Sequence, residues 1–187
     1  DLSEGFRACI ELRCAMRVLL ELARFSAHDE AALYDGVRGV AWEEHLSPKT
    51  TLAVRASARS SRLTHTQYIA QKSKDAIVDR LRDHFGARPD VDKEDPDAVV
   101  SLHLAKDAAT VYLDLAGAPL FMRGYRMDHH GAPLKETLAA AMLFLVGWAK
   151  DMDDFVDPMC GSGTIAIEAA LRARGRGPGL VGQRPLR

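Results

Sequence analysis

The stretch Asp157-Pro158-Met159-Cys160-Gly161-Ser162-Gly163-Thr164 decides how this chain is read. Before it stands the short run Asp154-Phe155-Val156-Asp157, which predicts a strand, and after it Thr164 to about Arg174, which predicts a helix. A glycine loop between a strand and a helix lies where open α/β sheets bind ligands, outside the carboxyl end of the strands. Gly161 and Gly163 have no side chain to keep a ligand from the backbone. The free N–H groups of the helix N-terminus favour an anionic group such as a carboxylate. Asp157, at the end of the strand, suits an amino group or a held cation. Two other readings fit the glycines alone. One is a dinucleotide fingerprint, Gly161-x-Gly163-x-x-Ala166, which tolerates alanine at its third position. The other is a glycine turn that binds nothing. A dinucleotide fold runs an apolar strand straight into its first glycine, whereas here an Asp and a Pro intervene.

Working outward, Leu134 to Trp148 predicts a helix, and Arg123 to Gly131 a polar linker ahead of it. Strand, loop and helix make half of a βαβ unit, which cannot close a sheet alone, so the catalytic fold is expected to continue past Arg187. Asp1 opens the chain inside a helical pattern without a Met, so sequence is also expected ahead of it. Apolar residues recur at three- and four-residue steps over Leu2 to Phe25, which predicts a helix. A short helix follows over Asp29 to Val37, with Trp42 expected under the next loop. Thr51 to Ala58 alternates as a strand. Thr66 to Phe85 reads as a long helix with Ile69, Ala76, Ile77, Val78 and Leu81 turned to the core. After an acidic turn from Arg88 to Asp97, strands are expected over Ala98 to Leu104 and Ala108 to Leu115.

The chain has 187 residues, of which 47% are apolar and 27% charged, as in ordinary globular proteins. A net charge of -1 means that any nucleic-acid site must come from local clustering. Lys49 to Arg88 supplies it, with nine Lys and Arg against three Asp. Within this run Arg55, Arg59, Arg62, Lys72 and Lys74 are candidate phosphate contacts. Arg123 and Arg126 are further candidates, or else fix the linker. Tyr68 is read as a core residue before a base-stacking one, and Glu168 as a surface residue of its helix. Three scattered cysteines, Cys9, Cys14 and Cys160, make no disulfide framework and point to a reducing, cytoplasmic setting. No run reaches membrane-spanning length. The histidines lack ligand spacing and the acidic turn lacks a calcium loop's glycine, so no metal is expected.

DPMCGSGTIAIEAA (157–170) resembles the cofactor motif of the THUMP-containing guanine-N2 RNA methyltransferases, in particular the bacterial type acting on large-subunit ribosomal RNA. APLKETLAAAML (132–143) resembles the segment preceding that motif, and RGYR (123–126) the family's linker. THTQYIAQKSKDAIVDRL (64–81), RPDVDKEDPD (88–97), TVYLDLAG (110–117) and FRACIELRCAMRVLLEL (6–22) are similar as well. The resemblance implies an α/β chain: an α+β THUMP RNA-binding region with the end of a ferredoxin-like element over residues 1–122. The start of a Rossmann-like methyltransferase domain would follow over 123–187. It implies S-adenosylmethionine as cofactor, held by Asp157, Pro158, Cys160, Gly161, Ser162, Gly163 and Thr164, with Pro133, Leu134, Lys135 and Thr137 against its methionine end. The first turn at Lys135 and Glu136 also reads as an exposed start of a core helix. Cys160, inside the loop, is expected to be a small packing residue and not a nucleophile. The implied partner is 23S rRNA, with tRNA as the alternative; an RNA-binding module without activity is the rival from another class. The motif that would orient the target amine lies outside this chain, so residues 1–187 alone are not expected to catalyse methyl transfer.

Overall fold

The computed structural model describes residues 2–92, 94–125, 134–148 and 154–181. The chain divides into two compact units, one of residues 19–117 and one of residues 1–18 with 118–186.

The unit of residues 19–117 is a four-stranded sheet with two helices on one face. Its strands are β1 (Leu19–Ser26), β2 (Leu52–Arg59), β3 (Ala98–Ala105) and β4 (Ala108–Asp114), in the spatial order β1-β4-β3-β2. β1 and β3 run antiparallel to β4, and β2 runs parallel to β3, so the sheet is mixed. The helices are α2 (Glu30–Arg38) and α3 (Thr66–Phe85), numbered after α1 (Leu2–Glu11) of the other unit. α3 starts where the His65 ring accepts the Tyr68 N–H, and stops at Gly86, whose φ of 70° is the left-handed conformation that ends helices. α2 is capped by Asp29, which accepts from the Ala32 N–H at 2.8 Å.

Strand alternation sends Val54, Ala56, Val100, Leu102, Leu104, Ala109 and Val111 to the helix side. There they meet Leu33 and Val37 of α2 and Ile69, Ile77 and Leu81 of α3. The five core positions expected in α3 are all buried. Trp42 is fully enclosed, and its indole N–H donates to the Val37 carbonyl at 2.7 Å. A Cβ on Gly36 would come within 2.2 Å of the Phe25 ring, so α2 can lie this close to β1 only with glycine there. The hairpin between β3 and β4 turns on Lys106 and Asp107, both at positive φ, as a two-residue turn matched to sheet twist requires. The Asp107 carboxylate accepts the Arg62 N–H, and its carbonyl accepts from Ala27.

One expectation is corrected. The helix predicted over Leu2 to Phe25 ends at Glu11, and Leu19–Ser26 forms an edge strand instead. A shift of register between Glu21 and Ala23 spaces the apolar residues of β1 three and four apart, which imitates a helix. Residues 1–18 cluster with residues 118–186.

In that second unit α1 lies against the turn Pro178–Leu180. A Cβ on Gly179 would fall 2.7 Å from the Ile10 Cα, so the backbones touch directly. α4 (Glu136–Leu145) packs on α5 (Thr164–Ala173), and the Arg172 guanidinium stacks over Phe144 at 4.1 Å. The Asp154–Asp157 strand does not form. A strand needs a neighbour for its backbone hydrogen bonds, and among the described residues none lies beside it.

Candidate cofactor loop and basic surface

The loop before α5 is built by its glycines. Gly161 and Gly163 have φ of 52° and 76°, conformations that cost other residues about 1–2 kcal/mol. The Gly163 N–H donates to the Cys160 carbonyl at 2.8 Å, and its own carbonyl accepts the first helical bond from Ile167. No side chain caps the helix at Gly163. Among the described residues, a Cβ on Gly161 would meet nothing within 4 Å, and one on Gly163 only Ile167 Cδ1 at 4.0 Å. Open space thus lies over bare backbone beside a helix N-terminus, a cradle that suits a small anionic group. Asp157 Oδ1 accepts the Met159 N–H at 3.1 Å, and its Oδ2 has no partner among the described residues. The Ser162 and Thr164 hydroxyls lie 3.2 Å apart. Pro158 occupies the turn after Asp157. Cys160 is exposed in this loop.

At the start of α4, Lys135 is exposed with its ammonium 5.2 Å from the centre of the Phe121 ring, while Glu136 and Thr137 are buried. Leu134 is half-buried just ahead of them. The exposed first turn is therefore true of Lys135 and not of Glu136. Pro133 and Arg126 lie outside the described residues.

Behind the loop sits a polar cluster that sequence reading missed. Glu168, expected on the surface, is buried on the inner face of α5. Its carboxylate lies 3.1 Å from the Arg123 guanidinium, and it accepts the Tyr125 hydroxyl at 3.0 Å. Arg123 also donates to the Arg13 carbonyl. Arg13 in turn donates to the Arg176 carbonyl at 2.7 Å, beyond the end of α5, and more weakly to Leu171. Burial pushes the Glu168 carboxyl up, against Arg123 and the Tyr125 hydroxyl, which hold it down. Burial likewise raises the Tyr125 phenol. The one sequence cue was position, since Glu168 falls one turn after Thr164 on the same helix face. Arg123, a candidate RNA contact, is enclosed and committed to this cluster; it offers no surface to a partner.

The basic run from Lys49 to Arg88 does not make one surface. Arg55 and Arg59 point from β2 to the sheet face without helices, exposed and with no acidic partner among the described residues. Lys74 and Arg55 line a groove of about 600 Å³ at the free edge of β2, with Gln67 and Gln71. Arg62 is tied to Asp107, and Arg80 grips Glu43 with two hydrogen bonds. Lys72 turns to α2, over the Tyr34 ring. Tyr68, expected in the core, is exposed, and its hydroxyl donates to Glu30. Among the described residues no group of His, Cys, Asp and Glu is placed to hold a metal, and no helix is long and apolar enough to cross a membrane.

Comparison with known proteins agrees with both units. Residues 27–114 match the THUMP domain family, and residues 123–185 the RMKL-like methyltransferase domain family. The chain is 48% identical over 184 residues to a ribosomal RNA large subunit methyltransferase K/L of Syntrophotalea carbinolica, covering 97% of this chain and 26% of that protein. It thus spans about a quarter of the length of such relatives. Among solved structures, SMU.472, described as a putative methyltransferase complexed with SAH, superposes with a TM-score of 0.87 at 33% identity, over 100% of this chain and 48% of that one. A predicted N6-adenine-specific DNA methylase from Listeria monocytogenes superposes with a TM-score of 0.86 at 34% identity, over 96% of this chain and 47% of that one. With the two domain matches in chain order and likeness along nearly all of its length, the chain carries a THUMP domain at residues 27–114 followed by RMKL-like methyltransferase domain sequence at residues 123–185.

Proposed function

We propose that a full-length protein carrying this chain methylates the N2 amine of a guanine in 23S rRNA, with S-adenosylmethionine as donor. The observation that carries the reading is the uncapped N-terminus of α5 behind two left-handed glycines, with open space over both. The likeness to K/L methyltransferases of large-subunit rRNA and to an SAH complex supports the substrate and the donor.

The residues present fit this cofactor. Gly161 and Ser162 offer backbone N–H groups to a carboxylate, Gly163 and Thr164 close the loop onto α5, and Asp157 offers a carboxylate to an ammonium. Leu134, Lys135 and Thr137, with Pro133, border the same end of the cofactor in this reading; Pro158 and Cys160 shape the loop. Bound there, the cofactor supplies a sulfonium-activated methyl group. An exocyclic guanine amine is a poor nucleophile because its lone pair is delocalised into the ring. The protein's work is therefore positioning and exclusion of water more than acid–base chemistry. The base must leave its stack or be presented in a loop to reach the methyl. The THUMP unit supplies the electrostatic hold on RNA through Arg55, Arg59 and Lys74.

The test incubates the full-length protein with tritiated S-adenosylmethionine and either unmodified 23S rRNA or bulk tRNA, then identifies the labelled nucleoside. Label in N2-methylguanosine of 23S rRNA is expected. Label in tRNA alone moves the substrate, label in adenosine overturns the target base, and RNA binding without label leaves a binding module.

A further inference from the structure

The open face of the four-stranded sheet is a surface for which the cofactor loop has no use. Register lays its outward residues in rows across the strands. One row runs Arg55, Ser101, Tyr112, Glu21, and the next Ser57, His103, Thr110, Arg24. Tyr112 and His103 thus stand on the two central strands, β4 and β3, with their ring centres 5.5 Å apart and their planes at 71°. Ser101 stands between Arg55 and Tyr112, and Ser57 and Thr110 flank His103, so short polar side chains border the His103 ring on both sides. Arginines flank them on both outer strands: Arg55 and Arg59 on β2, Arg24 on β1. The one exposed acid in these rows, Glu21, is already paired with Arg24 at 3.3 Å. His103 is exposed and Tyr112 half-buried. A row spans three strand gaps, roughly 14 Å, which is room for about two bases side by side.

We propose that this face binds single-stranded RNA, with unpaired bases stacked on His103 and Tyr112 and the backbone held by Arg55 and Arg59. The inference rests on the RNA reading of the THUMP unit and names the surface that reading uses. Aromatic planes beside Arg55 and Arg59, which have no acidic partner among the described residues, match the two demands of a single strand, a π-surface for each base and positive charge for its phosphates. A duplex keeps its bases in the stack and cannot use the rings. A protein partner would call for a contiguous apolar patch, and this face carries polar and small residues instead.

Fluorescence anisotropy with a labelled 12-nucleotide RNA, single-stranded or annealed to its complement, tests this on the 187-residue chain and on the full-length protein. The single strand is expected to bind more tightly than the duplex. H103A is expected to weaken single-strand binding about five-fold or more, and H103F, which keeps a stacking plane, to restore it. The pair R55A/R59A is expected to lower the slope of log K against log salt by about 1.4, two single-strand phosphates' worth. R38A, on α2 at the helix side, is expected to change neither. Exposed positions keep the fold intact, which circular dichroism checks for each variant. Equal affinity for single strand and duplex with H103A unchanged overturns the proposal, leaves the RNA reading standing, and assigns the face to a protein partner or to none. Absence of RNA binding by both unsubstituted proteins overturns the two together.

Discussion

Replacing Glu168 by Gln keeps the shape of the side chain and removes its charge. The Arg123 guanidinium would then stay buried, with 1% of its side chain exposed, without the carboxylate that lies 3.1 Å from it. It cannot shed its proton, so the full cost of an unpaired buried charge remains, about 3 kcal/mol. That corresponds to roughly a hundred-fold more frequent opening of the helix held by the pair. Hydrogen–deuterium exchange with mass spectrometry reads this directly: peptides from 164–173 should exchange about a hundred-fold faster in E168Q, while peptides from 66–85 stay unchanged. Arg123→Met should cost less, because the stranded Glu168 can take up a proton. Its carboxyl is already raised by burial, and losing Arg123 raises it further. A folded-state pKa above the unfolded value penalises folding at high pH and relaxes as pH falls through it, so the R123M penalty should shrink from pH 8 to pH 5 while that of E168Q does not. The double variant R123M/E168L should recover most of the loss, since an apolar pair of similar volume replaces a buried ion pair at little cost. Unchanged exchange in E168Q, or a double variant as damaged as the sum of the singles, would refute the assignment of this pair as the clamp on α5.

Glu43 gives a second pH signature. Its hydrogen bonds to Arg80 hold its carboxyl down to about 2, so its contribution is present above the ordinary carboxyl range and lost as pH falls toward 2; acid titration of E43Q by circular dichroism should lack that share of the loss. Gly36→Ala should destabilise the THUMP unit by about 1–3 kcal/mol through overpacking against Phe25, measured as a lower urea midpoint, and G36A/F25L should regain some of it. Gly163→Ala forces a Cβ into a left-handed position at φ of 76°, costing about 1 kcal/mol; calorimetry on the full-length protein should show weakened S-adenosylmethionine binding with THUMP-unit stability unchanged.

Legibility in the sequence follows the physics of each element. α3 can be read to its ends because its apolar period and its closing glycine say the same thing. The hairpin strands β3 and β4 are equally plain, since alternation and a short polar turn mark both. β1 reads as helix because its bulge places Leu19, Leu20, Leu22, Ala23 and Phe25 at helical spacing. At 157–164 the glycines mark the start of α5, while the strand expected ahead of them does not form. The buried partners are not: a Glu in a helix and an Arg in a linker look solvated until the fold brings residues 45 apart in sequence together. The basic run is legible as charge and illegible as surface. Strand alternation sends Arg55 and Arg59 one way, while Lys72 and Arg80 on α3 are spent on Tyr34 and Glu43.

Leu19 and Asp114 are register partners, so the THUMP unit enters and leaves through neighbouring antiparallel strands. Its two ends therefore sit about 5 Å apart, a gap one or two residues can bridge. Such a unit behaves as a cassette. It can be excised from Leu19 to Asp114 with a short splice, or exchanged for another whose ends lie equally close. Pulled by those same ends, β1 and β4 would unzip, each hydrogen-bonded pair breaking in turn instead of all shearing together, so the sheet should open from this corner under low force.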